Sequence, residues 1–134
     1  ARFLKTVQPA RWSKVKPELK KDKITFPDIV YWDSIHLEYH REYEFSYDCG
    51  RKVDIFCEGI AYGADDVING STGMIIGLDT RNVDISKWYD LTLTNAEQIK
   101  FYKNGRIDIR FKDSQAAENC YRRLQLDEIT LKED

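Results

Sequence analysis

The sequence predicts an α+β fold: an antiparallel, hairpin-rich sheet with one C-terminal helix and a short N-terminal helix packed on it. Three observations carry this expectation. Apolar and polar residues alternate along most of residues 35–47. Ile99 and Phe101 lead into Asn104-Gly105, and Ile107, Ile109 and Phe111 alternate out of it. Ala117, Cys120, Tyr121 and Leu124 recur at i, i+3, i+4 and i+7. A period of two marks a half-buried strand, Asn-Gly is the strongest short hairpin signal, and a period near 3.6 marks one face of a helix.

In chain order, residues 2–7 alternate and read as a short strand. Pro9 suits the first position of a helix, which Pro17 ends or kinks. Trp12 and Val15 lie three apart and face the body. Residues 24–32 read as extended; Pro27 cannot donate to a ladder, which makes this an edge strand or a broken one. In residues 35–47 the apolar face is Ile35, Leu37, Tyr39, Tyr43, Phe45 and Tyr47. Asp48 to Arg51 follows as a turn, and Val53, Ile55 and Cys57 form the apolar face of a returning strand over 52–58. Residues 59–77 hold five of the seven glycines and read as a loop around a short buried strand, Met74 to Ile76. Residues 84–89 fit either period, and 91–93 are extended. Asp113 or Ser114 caps a helix over 114–125. Leu126, Ile129 and Leu131 add a final strand. No repeat, low-complexity tract or linker divides residues 1–134, which read as one domain: a basic N-terminal arm (1–23) and a mixed body (24–134).

At 134 residues, 42% hydrophobic and 33% charged, the chain supports a real core and is not disordered throughout. No apolar run approaches the roughly 18 residues of a membrane span, and no signal sequence is evident at the N-terminus. The three cysteines cannot all pair, which points to a reducing, cytoplasmic or otherwise intracellular setting.

The net charge of −2 conceals an asymmetry. Residues 1–23 carry eight basic side chains against Glu18 and Asp22, whereas the remaining 111 residues carry 13 basic and 21 acidic ones. A cationic arm of this kind meets phosphates, folds onto its own acidic body or forms a solvated face.

Catalytic constellations fare poorly. His36, Glu38 and His40 share a strand face and are candidate metal ligands. Side chains at i and i+2 stand about 7 Å apart, however, and a metal needs donors converging within about 2.1 Å. A solvated strand face is the simpler reading. Cys57 and Cys120 sit on apolar faces as core residues, and Cys49, in the expected turn, is the one exposed thiol. None has the local motif of a nucleophile. The glycine-rich stretch lacks the Gly-Lys-Ser/Thr ending of a phosphate loop, and Asp65 and Asp66 oppose phosphate. Residues 65–76 also fail as a calcium loop, with Val67 and Ile76 at ligand positions. Seven aromatics between Phe26 and Tyr47 read as core, with Tyr31 or Trp32 exposed.

The strand Ile107 to Phe111 and the helix bearing Ala117, Cys120 and Leu124 resemble, over about 20 residues, the last strand–helix step of RNA-recognition-motif domains; the same step recurs in unrelated folds. Arg106 and Asp108 occupy the positions of that family's stacking aromatics. A cationic set, Lys103, Arg106, Arg110 and Lys112, lies on or beside this hairpin.

These readings favour a small, non-enzymatic binding protein that occupies a macromolecular partner, as an adaptor or inhibitor does. The alternative is a nucleic-acid binder using the basic segment. The candidate partner- or nucleic-acid-binding residues are Arg11, Trp12, Lys14, Lys16, Lys20, Lys21, Arg106 and Arg110. A third reading is an enzyme built around His36, His40 and nearby carboxylates. No cofactor is expected.

Overall fold

A computed structural model describes residues 16–32, 42–46 and 49–126. The elements run β1 (Glu18–Lys20), β2 (Lys23–Phe26), β3 (Glu42–Tyr43), α1 (Cys49–Asp65), a 3-10 turn (Thr72–Met74), β4 (Val83–Asp84), β5 (Tyr89–Asp90), β6 (Ala96–Phe101), β7 (Ile107–Phe111) and α2 (Ser114–Arg123). The sheet is antiparallel and five-stranded, in the order β1-β2-β7-β6-β5, and β3 pairs with β4 in a separate two-stranded piece. The expected α+β fold with an antiparallel sheet is therefore observed.

The tail hairpin forms as its pattern predicts. Ile99 pairs with Ile109 and Phe101 with Ile107, and the ladder shifts register between Ala96 and Gln98. Gly105 holds a left-handed φ of 88° in the turn. Its carbonyl accepts the backbone N–H groups of Ile29 and Val30, both at 3.0 Å. A Cβ at this position would collide with the Val30 carbonyl oxygen. Glycine thus meets two demands here, the positive φ and the close backbone approach.

Asp113 caps α2, its carboxylate accepting the Ala116 N–H at 2.7 Å. Ala117, Cys120 and Leu124 are fully buried, as their spacing predicts. Leu126 is buried just beyond, whereas Ile129 and Leu131 of the expected final strand lie outside the described residues. The expected N-terminal strand (2–7) and the helix from Pro9 also lie outside them.

The principal correction concerns residues 49–65. The expected strand over 52–58 is instead the middle of α1, so no hairpin joins it to residues 35–47. Val53, Phe56, Cys57, Ile60, Ala61 and Ala64 follow i, i+3, i+4, i+7, i+8 and i+11, and all are buried. The strand reading used Val53, Ile55 and Cys57, of which Ile55 is only half-buried. Cys49 is no exposed turn residue but the buried first residue of this helix. Of residues 35–47, those described form β3 and an isolated bridge from Phe45 to Trp32. Of residues 24–32, expected as an edge strand or a broken one, the strand runs only as far as Phe26, so the broken alternative holds. Pro27 ends it, and β2 is an inner strand between β1 and β7 rather than an edge. Met74 to Ile76 is no strand: Met74 closes the 3-10 turn, Ile75 makes one bridge to Leu91, and Ile76 is exposed.

Both helices lie on one face of the sheet. Ile24, Phe26, Ile99, Phe101, Ile107, Ile109 and Phe111 project toward them and join Val53, Phe56, Ile60, Ala117 and Leu124 in one hydrophobic cluster. Phe26 meets Phe56 edge-on at 5.0 Å. The helices touch closely where Gly63 faces Cys120: a Cβ there would lie 2.6 Å from the Cys120 Sγ. Trp32 and Phe45 close the end of the core against Phe101, with the Trp32 ring 6.4 Å and the Phe45 ring 5.6 Å from it. Among the described residues no helix is long and apolar enough to cross a membrane.

Candidate functional site

Successive strand residues point to opposite faces, so the residues between those core positions emerge on the face away from the helices. Register then assembles two rows across the strands. One runs Lys20–Lys23–Arg110–Gln98–Asp90, each residue the ladder partner of the next. The other runs Glu18–Thr25–Asp108–Lys100 and continues to Trp88, which precedes β5. Beyond them Tyr102 and Arg106 face each other across the hairpin end, where the Tyr102 N–H donates to the Arg106 carbonyl at 3.0 Å.

Aromatic rings fix the cations of this face. The Arg106 guanidinium carbon lies 4.0 Å from the centre of the Tyr102 ring, and that of Arg110 lies 4.2 Å from the centre of the Trp88 ring. Lys100 sits between the two rings, its Nζ 5.1 Å from Tyr102 and 5.9 Å from Trp88. Arg110 also donates to the Gln98 Oε1 at 3.0 Å, and Gln98 donates in turn to Asp90 at 3.0 Å.

Asp108 is the buried anchor of the arrangement, with no exposed surface. Its carboxylate accepts two hydrogen bonds from Arg106, at 3.2 and 3.0 Å, and one from the Tyr102 hydroxyl at 2.8 Å. Lys23 stands 3.5 Å away. Burial pushes the Asp108 carboxyl up, but the hydrogen bonds from Arg106, Thr25 and Tyr102 outweigh it and hold the group below the usual carboxylate range. Burial and the adjacent carboxylate push the Tyr102 hydroxyl up.

The row ends in a groove of about 460 Å³ beside the bulge of β6, where Arg110 and Gln98 meet Asp90, Thr94 and Glu97. The face therefore has polarity. Lys20 and Lys23 lie at one side, with Glu18 3.6 Å from Lys20, and Asp90 and Glu97 lie at the other.

Of the sequence-derived candidates, the structure brings Lys20, Arg106 and Arg110 together here. Lys16 is exposed before β1, and Lys21 is exposed in the β1–β2 turn with a φ of 54°. Arg11, Trp12 and Lys14 lie outside the described residues, as do His36 and His40. Lys23, Trp88, Lys100 and Tyr102 were missed. Their signal was the parity of each strand: once Ile99, Phe101, Ile107 and Ile109 face the core, their neighbours share the opposite face.

Other candidates resolve into structure. Among the described residues no three His, Cys, Asp or Glu side chains are grouped to hold a metal. Asp65 ties α1 to the turn before β6, its carboxylate accepting the Thr94 N–H at 2.6 Å and the Asn95 N–H at 2.9 Å. Gly59 and Gly63 belong to α1 and are buried rather than part of a ligand loop.

The fold thus defines a class, a helix-backed antiparallel sheet with a cation–aromatic face. Compared with protein-family models, curated proteins and solved structures, the chain matches none.

Proposed function

We propose that the chain is a non-enzymatic binding protein that acts by occupying a macromolecular partner, and that the helix-free sheet face is where it does so. The observation that supports this is the fixing of Arg106, Lys100 and Arg110 on Tyr102 and Trp88. Long cationic side chains held on rings lose less freedom when they engage a partner than free ones do. Lys16 and Lys20, described basic residues of the N-terminal segment, are both exposed, and Lys20 stands on this face. The three buried, unpaired cysteines fit a reducing, intracellular setting for this role.

The test is capture of partners from native cell extract, with and without nuclease treatment. Wild type, Arg110→Ala and a control on the helical side, Arg122→Ala, serve as bait. A partner retained by wild type and Arg122→Ala but lost from Arg110→Ala supports the reading. Equal capture by all three overturns it.

A further inference from the structure

We propose that the partner is a single-stranded nucleic acid, lying across the sheet with its phosphates on Lys20, Lys23 and Lys100 and its bases stacked on the guanidinium planes of Arg110 and Arg106. This rests on the reading of the open face as the contact surface and deepens it.

Three features argue for this occupant. The first is charge. Five cations stand on a face with four carboxylates, Glu18, Asp90, Glu97 and Asp108, whereas the whole chain carries a net −2. Asp108 is buried beneath Arg106 and offsets the charge of Arg106 and Lys23, so Lys100 and Arg110 carry most of the positive charge a partner meets. A polyanion complements it.

The second is planarity. Arg110 and Arg106 set their guanidinium carbons 4.2 and 4.0 Å from the centres of aromatic rings and are held by side-chain bonds, Arg110 to Gln98 and Arg106 to Asp108. A guanidinium held in this way offers its outer side as a platform, and unpaired bases stack on arginine planes as well as on aromatic rings. A duplex hides its base faces and cannot use such a platform.

The third is the polarity of the row. Asp90 and Glu97 repel phosphate at the groove, so the backbone runs over Lys20 and Lys23 and, in the second row, over Lys100. The same carboxylates, with Gln98, accept and donate hydrogen bonds at a base edge. The groove thus disfavours the backbone and offers polar groups to a base.

The experiment is a fluorescence-anisotropy titration of the full chain. The probes are labelled RNA and DNA single strands of about 12 nucleotides, an abasic strand of equal charge and a duplex. Salt is about 50 or 200 mM. Single strands should bind, and three phosphate contacts at a salt slope of about −0.7 each should weaken binding about 20-fold between those salts. Arg110→Lys keeps the charge and removes the planar platform, so affinity should fall about tenfold. Arg122→Ala should stay within about twofold, since it lies on the helical side away from the contacts that carry affinity. RNA and DNA binding alike indicates that the shared phosphate–base chemistry is read; a preference for RNA adds a contact to the 2′-hydroxyl.

Abasic strand or duplex binding as tightly as single strands overturns the proposal, as does an unaltered affinity in Arg110→Lys. If no probe binds, yet extract capture remains dependent on Arg110 after nuclease treatment, this inference falls and the binding-protein reading stands with a protein partner. If capture is also independent of Arg110, both fall.

Discussion

The guanidinium carbon of Arg110 rests 4.2 Å from the centre of the Trp88 ring. Such a pair contributes about 0.5–1 kcal/mol at a partly exposed site. A double-mutant cycle on Arg110→Ala and Trp88→Ala, followed by urea unfolding, should return a coupling of that size. A coupling near zero would mean the contact gives neither residue a fixed position, and the pre-organised face would lose its basis. Because the stability cost is small, Arg110 variants remain folded and report on binding.

Asp108 makes the opposite prediction, a large structural cost. Removing one partner of a buried ion pair typically costs about 3–5 kcal/mol. Here Arg106 and Lys23 remain 37% and 33% exposed and recover some hydration, so Asp108→Ala should cost about 2 kcal/mol, or about 8 °C in Tm. The pH dependence has a definite sign. A carboxyl held below its ordinary value stabilises the fold at pH above the unfolded value, near about 3.9, and loses that contribution as pH falls through its lower folded value. Asp108→Asn should therefore flatten the acid limb of the stability profile below about pH 4. An unchanged acid limb in the variant would remove Asp108 from the account.

Gly105→Ala tests the clamp between the tail hairpin and residues 29–30. The new Cβ meets the Val30 carbonyl, and the φ of 88° is strained for alanine. Left-handed strain of about 1–2 kcal/mol and the displaced hydrogen bonds from Ile29 and Val30 together suggest a loss of about 3 kcal/mol. Thermal unfolding measures it. A loss under about 1 kcal/mol would show that the turn relaxes without leaving residues 29–30 unpaired.

The thiols should be inert in the folded protein. Burial pushes Cys57 strongly up and Cys120 up to about 12. Burial also raises Cys49, although the Tyr31 N–H and nearby Lys52 oppose it. Timed reaction with a thiol reagent at pH 8 should label all three cysteines only on denaturation. A rapidly labelled thiol in the native protein would contradict the packing of α1 or α2.

The parts legible in the sequence were those where one signal stood alone. Asn104-Gly105 and the alternation around it specify a hairpin and nothing else, and Asp113 before Ala117, Cys120 and Leu124 specifies a helix start. Residues 49–65 carry two signals. Val53, Ile55 and Cys57 satisfy a period of two, while Val53, Phe56, Cys57, Ile60 and Ala61 satisfy 3.6. Three glycines in the same span lower its intrinsic helix preference. The longer match prevails because it buries a continuous stripe, and Gly63 serves the close contact with Cys120. The face was less legible for another reason. Lys20 and Lys23 meet Arg110 through pairing between segments almost ninety residues apart, which local patterns do not encode.

That same pairing sets the order in which the sheet can be built. β2 takes its place only beside β7, with Ile24 against Ile109. During synthesis β1 and β2 therefore leave the ribosome long before their neighbour exists. Until residue 111 emerges, Ile24 and Phe26 have no sheet to complete, and the late hairpin β6–β7 is the piece that lets the early one dock. Folding governed by such distant contacts is slow, and the waiting strands present an open edge to chaperones and to other nascent chains.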